Sequence, residues 1–463
     1  MYRSVLALAL TTALTMTAPA LAGDWPAFLG PTGDSKSTEE LDPALWSSDG
    51  GPAVAWWRET GEGYSAPAVA GGRLFHFDRH GDSARLTCVD ATSGEELWRA
   101  EYPTAYEDYY GYSNGPRASP VVDRDRVYVY GVEGRLRSHR VTDGELLWEV
   151  DTTAEFGVVQ NFFGVGATPV IEGELLIAMV GGSPPDSPKI HSGEIRGNGS
   201  GLVAFDKRDG SVRYRLSNEL ASYATPRLAT IDGRRLGFAF TRGGLLAFDP
   251  RAGATEFFFP WRARLLESVN ASTPVVVDDT VFISETYGPG SALLRVVPGG
   301  GDGSGEDEGE GFEVVWKDPP GRGKSLRTHW NTAVYHRGHL YASSGRNTGD
   351  AELRCVEHAT GKVRWSQKGL NRASLLFADG HFLVLGEYGT LRVVAADPES
   401  YREIAAIDYS KVMVPKPDGT GERPLLTFPA WNAPVLANGF LYLTGKDTLV
   451  ALDLAPTPAV AAE

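Results

Sequence analysis

The chain has 463 residues, with 55 Gly, 29 Pro and 10 % aromatic residues. This mixture suits many short strands joined by tight turns, because Gly supplies positive φ and aromatic rings fill a half-buried pleated surface. The formal net charge of −15 argues against a general nucleic-acid binder and against adhesion to an anionic membrane surface.

Residues 1–22 have the pattern of an export signal. Arg3 gives a positive start, the run from Val5 to Ala18 is apolar and small, and Ala20-Leu21-Ala22 is a cleavage site of the A-x-A type. We therefore expect a periplasmic or secreted protein, cleaved near Ala22. No Cys follows the cleavage site, so we predict that it is not a lipoprotein, and no later apolar run is long enough to span a membrane.

The chain after the signal repeats one phrase eight times. Each copy opens with a small residue, Pro and β-branched residues, continues through two alternating apolar strands, and closes with an acid, a turn ending in Gly and an aromatic residue. The opening positions are Pro67, Pro120, Pro169, Pro226, Pro274, Ala333, Leu375 and Pro434. The most regular closing halves are Asp90…Gly94…Trp98, Asp206…Gly210…Tyr214, Asp249…Gly253…Phe257 and Glu357…Gly361…Trp365.

Each part of the phrase has a structural reason. Alternation of apolar and polar residues is typical of strands packed between sheets, and the acid-to-Gly segment is typical of a hairpin turn. The aromatic residue then begins an outermost strand and fills the wedge between neighbouring sheets. A repeat of this kind predicts an all-β, eight-bladed β-propeller of four-stranded antiparallel blades.

The eighth copy indicates how the ring closes. It runs from Pro434 to Asp453 and lacks its own outer strand, whereas the segment from Ala53 to Arg58 is an orphan strand that carries Trp56. We predict that this N-terminal strand completes blade eight, which removes exposed sheet edges. Residues 23–454 then form a single propeller, followed by a flexible tail over 455–463.

The phrase resembles the PQQ-like, or quinoprotein-like, β-propeller repeat family. Its clearest instances are Leu86-Thr-Cys-Val-Asp90-Ala-Thr-Ser-Gly94-Glu-Glu-Leu-Trp98 and Val203-Ala-Phe-Asp206-Lys-Arg-Asp-Gly210, and the segment Asp24–Pro31 is similar to the lead-in of exported members. The resemblance implies the fold strongly and the function weakly, because the family includes dehydrogenases and outer-membrane assembly scaffolds.

Chemistry in such a propeller is expected on one face. Loops that lead into the innermost strands share this face with the loops between second and third strands, and it is the default ligand site. The candidate ligand-binding residues there are Tyr112, Asn114, Asn161, Asn270, Arg327, His329, Trp330, Asn331, Trp431 and Asn432. Arg327, His329 and Trp330 would together suit an anionic or carbonyl-bearing ring, whereas the Asn residues could instead cap turns and satisfy inner-strand backbone.

Four further segments are candidates for binding or metal sites, and each also has a purely structural interpretation. The insertions Tyr102–Arg117 and Gly181–Gly201 lie on the same face and either bind a ligand or cover the channel mouth. The acidic stretch 299–311 favours a solvated loop over a Ca²⁺ site, because its acids match no ligand spacing. His76, Asp78 and His80 could share a face, but without a further ligand we predict no metal site.

Three functions are consistent with the sequence. The preferred one is a non-catalytic ligand- or protein-binding scaffold in the cell envelope, monomeric and without cofactor, which takes an unknown small molecule or envelope protein on the channel face. One alternative is a PQQ-dependent alcohol or sugar dehydrogenase with calcium, whose family site uses adjacent cysteines; here Cys88 and Cys355 lie in different repeats and are expected to be buried free thiols. The other alternative is an outer-membrane protein assembly scaffold.

Overall fold

The structure, a computed structural model, describes residues 23–47, 51–159, 162–188, 195–265, 268–297 and 308–454. The predicted signal (1–22) and tail (455–463) lie outside the described residues. So do Asn161 and most of the acidic stretch, residues 299–307.

Eight antiparallel sheets follow one another around the ring, and the predicted eight-bladed architecture is confirmed. The strands of blades 1 to 4, given from the innermost to the outermost in each blade, are Ala68–Ala70, Arg73–His80, Ser83–Asp90 and Glu96–Pro103; Val121–Asp123, Arg126–Tyr130, Arg135–Arg140 and Leu146–Asp151; Val170–Glu172, Leu175–Met179, Leu202–Asp206 and Val212–Leu216; and Arg227–Ile231, Arg234–Phe240, Gly244–Asp249 and Ala254–Pro260.

Blades 5 to 8 keep the same order, and blade 5 adds the short edge strand Glu308–Gly309. Their strands are Val275–Val277, Thr280–Ser284, Ser291–Val296 and Phe312–Lys317; Val334–His336, His339–Ser344, Glu352–Glu357 and Val363–Lys368; Ala373–Ala378, His381–Gly386, Thr390–Ala395 and Glu403–Asp408; and Val435–Ala437, Phe440–Thr444, Thr448–Asp453 and Ala53–Glu59.

Little regular structure lies outside the blades. A hairpin of Met413–Pro415 and Glu422–Pro424 precedes blade 8, and the two helices are Pro43–Ser47 and Thr152–Phe156. Among the described residues, no helix is long and apolar enough to cross a membrane.

The N-terminal strand closes the ring as predicted. Ala53–Glu59 pairs antiparallel with Thr448–Asp453, with Trp56 opposite Ala451 and a bulge between Val54 and Trp56. Blade 8 is therefore built from both ends of the described chain. This pairing covers the edge that the last copy would otherwise expose.

Neighbouring blades are joined by one repeated contact. The aromatic residue of an outermost strand packs on the third turn of the next blade, that is, the turn between its third and fourth strands. It donates a hydrogen bond to a backbone carbonyl of that turn, because a buried indole or phenol needs a partner. The pairs are Trp56 with Ala91 (3.0 Å), Trp98 with Val141 (2.8 Å), Trp148 with Lys207 (3.1 Å), Tyr214 with Pro250 (2.8 Å), Trp316 with His358 (2.8 Å) and Trp365 with Asp397 (3.0 Å).

A segment before the first blade crosses the axis of the ring. Trp25 exchanges backbone hydrogen bonds with Val69 of blade 1, and Ser37 donates to the carbonyl of Phe377 in blade 7, each at 2.8 Å. Between them, Gly33 lies against the side chain of Arg227 in blade 4, on the opposite side of the ring. Trp25 and Leu29 are buried, at 2 % and 4 % exposure. Residues 25–37 therefore plug the centre of the propeller from the side of the first turns.

Candidate functional site

A cavity of about 1040 Å³ lies at the mouth of the ring, on the face where the loops into the innermost strands meet the loops between second and third strands. Phe28 and Leu29 of the axial segment contribute to its lining. The axial segment therefore closes the cavity at its inner end, and this cavity with its lining residues is called the cup. Its volume matches the upper range of ligand pockets, roughly 300–1,000 Å³.

The structure brings together most of the candidate residues named from the sequence. Those that line the cavity are Tyr112, His329, Trp330, Asn331, Trp431 and Asn432. Asn114, Asn270 and Arg327 are not among its lining residues, and Asn161 lies outside the described residues.

Three of the amides act within the scaffold. Asn270, Asn331 and Asn432 each donate to a group at the end of a second strand: the carbonyl of Thr241 (2.7 Å), the carbonyl of Ser343 (2.9 Å) and the hydroxyl of Thr444 (2.7 Å). These bonds tie the loops into blades 5, 6 and 8 to the ends of second strands in blades 4, 6 and 8. Such amides position the mouth, in the way expected of side chains that satisfy backbone groups.

The other two residues outside the lining also have structural contacts. The Asn114 side chain accepts the backbone N–H of Asp108 at 2.8 Å, which shapes the tyrosine-rich loop. The Arg327 guanidinium lies 3.4 Å from the carboxylate of Asp350. The binding role expected for Arg327 therefore has no support from its position.

At the mouth, one cation packs against a pair of contacting indoles. The Arg372 guanidinium lies 4.5 Å from the ring centre of Trp330 and 5.1 Å from that of Trp431. Its Nε donates to the fully buried carboxylate of Glu387 at 2.8 Å. The indole N–H of Trp431 donates to the same carboxylate at 3.1 Å, and the guanidinium holds the pKa of Glu387 below its ordinary value despite burial.

His329 lies behind this arrangement. Its Nε2 contacts the hydroxyl of Tyr287 at 3.1 Å, while its buried Nδ1 has no hydrogen-bond partner among the described residues. Burial lowers the pKa of His329 to about 3, and the nearby Arg372 and Arg346 act in the same direction. The imidazole is therefore neutral at ordinary pH and is not a source of positive charge.

Four cationic side chains line the cup. Arg117 and Arg372 are paired with buried carboxylates of Asp108 and Glu387, at 2.5 Å in both pairs. Arg346 lies over the ring of Tyr287, 4.5 Å from its centre, and Lys446 is exposed. Of the described residues that line the cavity, none is Asp or Glu.

A collar of aromatic rings completes the rim. Tyr110 packs 5.6 Å from Phe163, and Phe163 packs 5.6 Å from Tyr223. Tyr112 stays 61 % exposed although it packs 6.0 Å from Phe163. The tyrosine-rich insertion thus supplies part of the wall, whereas His191 and Glu194 of the other insertion lie outside the described residues.

Sequence reasoning missed one set of loop residues, of which Tyr287, Arg346 and Lys446 line the cup. The second or third residue after the second strand of blades 4 to 8 is a cation or a tyrosine in alternation, namely Arg242, Tyr287, Arg346, Tyr388 and Lys446. Aligning the eight copies at this loop would have revealed the pattern. Single-residue inspection could not, because each residue is ordinary for a surface loop.

The cluster around Asp78 is structural. Its carboxylate accepts two hydrogen bonds from Arg85, at 2.9 and 2.7 Å, and the backbone N–H of Gly61 at 2.7 Å. Burial lowers the pKa of the neighbouring His76 to about 4. The described residues contain no group of three or more His, Cys, Asp or Glu side chains arranged to hold a metal ion.

Comparison with known proteins agrees with this architecture. A family model described as "Outer membrane protein assembly factor BamB" matches residues 39–197 and 186–297. The chain belongs to the PQQ-like repeat β-propeller family. No curated protein matches the chain in sequence.

A solved structure shares the propeller fold, and a second solved structure is similar over much of the chain. BamB from Moraxella catarrhalis has a TM-score of 0.54 and 12 % identity, and the match covers 89 % of this chain and 99 % of that one. Quinohemoprotein alcohol dehydrogenase from Comamonas testosteroni has a TM-score of 0.48 and 13 % identity, with 96 % and 83 % covered.

The family name raises the question of a calcium-bound quinone. Ca²⁺ takes about six to eight oxygen ligands, with carboxylates among them, and the described lining includes no carboxylate. Cys88 and Cys355 are buried and free, in blades 1 and 6, so they form no adjacent pair. The residues at the mouth do not fit this cofactor.

Proposed function

We propose that this PQQ-like propeller is a non-catalytic binding protein of the cell envelope, periplasmic or secreted, which acts as a monomer and takes its ligand or partner protein in the cup at the channel mouth. The observation that carries the proposal is the lining itself: aromatic faces and cations surround a floored cavity, and its described residues include no carboxylate. Binding needs only such surfaces, whereas the quinoprotein reaction needs a base and metal ligands.

Two arms of one experiment test this function. The mature chain is mixed with PQQ and Ca²⁺, and tryptophan fluorescence and dye-linked alcohol oxidation are followed. The proposal expects no turnover, and tight binding with turnover would overturn it in favour of the dehydrogenase.

The second arm tests binding at the mouth. Proteins and small molecules retained from an envelope extract are compared for the wild type, Trp330→Ala, and the control Trp57→Ala on the outer strand of blade 8. Loss of retained species in Trp330→Ala alone supports the proposal. An identical set in all three samples would mean that the cup is not the binding face.

The description of the family model favours a second candidate, a scaffold for outer-membrane protein assembly. The exposed aromatic rim around Tyr109 and Tyr112, at 64 % and 61 % exposure, is suited to an apolar peptide segment. A synthetic β-strand peptide from an outer-membrane barrel, titrated against wild type and Tyr112→Ala, separates the two. Binding that depends on Tyr112 but not on Trp330 would favour the assembly role.

A further inference from the structure

Two cations at the mouth form no ion pair with the described part of the chain. Arg346 and Lys446 occupy the same loop position in blades 6 and 8, two residues beyond the end of the second strand. Both side chains are exposed, and no carboxylate of the described residues forms an ion pair with either. They are therefore available to an external anion.

This placement opposes the charge of the chain as a whole. The chain carries a formal net charge of −15, yet acidic residues are absent from the described lining of the cup. A local positive field inside a concave surface raises the local concentration of anions and guides them inward. The partnered guanidiniums of Arg117 and Arg372 add fixed N–H donors to the wall, because buried carboxylates hold them in place.

Flat ring surfaces line the cup together with the two cations, namely those of Trp330, Trp431 and Phe428. Trp330 and Trp431 pack 4.7 Å apart at 41°. Tyr388, in the equivalent loop of blade 7, stacks on Phe428 at 4.8 Å and 25°. Aromatic faces of this kind pack well against planar or flat-sided ring systems.

The cup has room for a ligand that reaches from one blade to another. Its volume is about 1040 Å³, at the upper end of the range for ligand pockets, roughly 300–1,000 Å³. Arg346 belongs to blade 6 and Lys446 to blade 8, and blade 7 lies between these two blades. A ligand that contacts both needs at least two separated anionic groups.

We infer that the cup binds a multivalent organic anion with a flat ring body across blades 5 to 8, without a metal ion. The inference rests on the proposed binding function and names its ligand class. Aromatic polycarboxylates and acidic oligosaccharides share this chemistry, because both join separated carboxylates through flat-sided rings.

The test titrates four probes into the full mature chain, and binding is measured by calorimetry and tryptophan fluorescence. Trimesate is a planar aromatic tricarboxylate, trigalacturonate is an acidic oligosaccharide, citrate is a multivalent anion without a ring, and maltotriose is a neutral oligosaccharide. Each is titrated at low and high salt, because exposed charge pairs are screened by ions. The variants are Arg346→Gln, Lys446→Gln and their combination.

Lys362→Gln is the matched control, since Lys362 is an exposed lysine of blade 6 on the opposite face, in the turn between its third and fourth strands. We expect trimesate or trigalacturonate to bind more tightly than citrate, with affinity that falls at high salt. Each mouth variant should weaken binding about tenfold, the usual effect of one lost charged hydrogen bond. Lys362→Gln should bind as the wild type does.

The outcomes separate the two proposals. Binding of maltotriose as tight as that of trigalacturonate, if it is lost in Trp330→Ala, would keep the binding function and overturn the anion inference. Anion binding that is equal in wild type and the double variant would also overturn it. Absence of binding by all four probes refutes the ligand class, and the envelope-extract comparison then decides the binding function independently.

Discussion

The indole N–H of Trp56 donates to the carbonyl of Ala91 at 3.0 Å, across the junction between the last blade and the first. The same contact joins the other blades that carry an outer-strand Trp. At this junction, however, the indole comes from the N-terminal strand, and the hydroxyl of Tyr442 from the C-terminal copy donates to the same carbonyl at 3.0 Å. Both ends of the described chain therefore contact blade 1 here.

We expect Trp56→Ala to reduce the free energy of unfolding by about 3–5 kcal/mol, the range for truncating a buried large aromatic residue. Guanidinium unfolding followed by circular dichroism measures this. The control is Arg58→Ala on the same strand, which loses an ion pair with Glu96 at 2.9 Å and should cost about 0–1 kcal/mol. Equal losses in both variants would contradict a special role for the indole.

Deletion of residues 23–60 removes the axial segment and the closing strand together. Blade 8 would then expose the edge of Thr448–Asp453, and we expect cooperative unfolding to be lost. Differential scanning calorimetry checks this. A melting temperature unchanged from the full chain would refute closure by this strand.

Substitution of Gly94 tests how closely the turn between the third and fourth strands of blade 1 packs on the Trp56 ring. It has φ of 72°, and a Cβ added there would meet the Trp56 ring at 2.7 Å. Gly72 has φ of 74° with open space around it. We expect Gly72→Ala to cost about 1–2 kcal/mol from backbone conformation alone, and Gly94→Ala to cost about 1–3 kcal/mol more through overpacking.

The two thiols should be inert in the folded protein. Burial raises the pKa of both Cys88 and Cys355 to about 11, so little thiolate is present at pH 8. We expect negligible reaction with a thiol reagent under native conditions and two reactive thiols per chain in guanidinium. Fast native labelling, or a missing thiol after unfolding without reductant, would be inconsistent with this structure.

His139 should make the protein sensitive to acid. Burial lowers its pKa from 6.5 to about 4, so the unfolded chain takes up a proton that the folded chain refuses. Stability from this group is complete above pH 6.5 and is lost as the pH falls from 6.5 towards 4. His139→Gln should flatten the pH dependence of unfolding free energy in this window, and an unchanged pH dependence in this variant would contradict the prediction.

Glu387 and Arg372 should behave as a coupled pair. Glu387→Gln leaves the mostly buried guanidinium without its counter-charge, which typically costs about 3–5 kcal/mol. The double variant with Arg372→Gln should recover part of this loss, because no unpaired charge remains. A double-mutant cycle of unfolding free energies measures the coupling, and additive losses would show that the pair is independent.

Much of the fold could be predicted because its signals are local and repeated. The acid-to-Gly turns and the aromatic residue four positions later recur at fixed spacing, so the number of blades and the closing role of Trp56 followed from counting. Each signal needs only a few residues, and eight copies reinforce one another.

The site depended on contacts that no local pattern encodes. Among the candidates named from the sequence, Trp330 and Trp431 line the cup, whereas Arg327 pairs with Asp350 and Asn270 ties a loop to Thr241. Whether a loop residue faces the axis is set by neighbouring blades far away in sequence. Arg346 and Lys446 were missed for the same reason.

The sequence by itself determined the repeat, the blade count and the separation of the two cysteines, because hydrogen-bonded strands and turns follow from residue order over short distances. Only the tertiary structure decided that residues 25–37 plug the axis, that Arg372 packs against two indoles, and that the described lining of the cup lacks carboxylates. Those features arise where side chains from different blades converge, and their charge and shape exist only once the ring is closed.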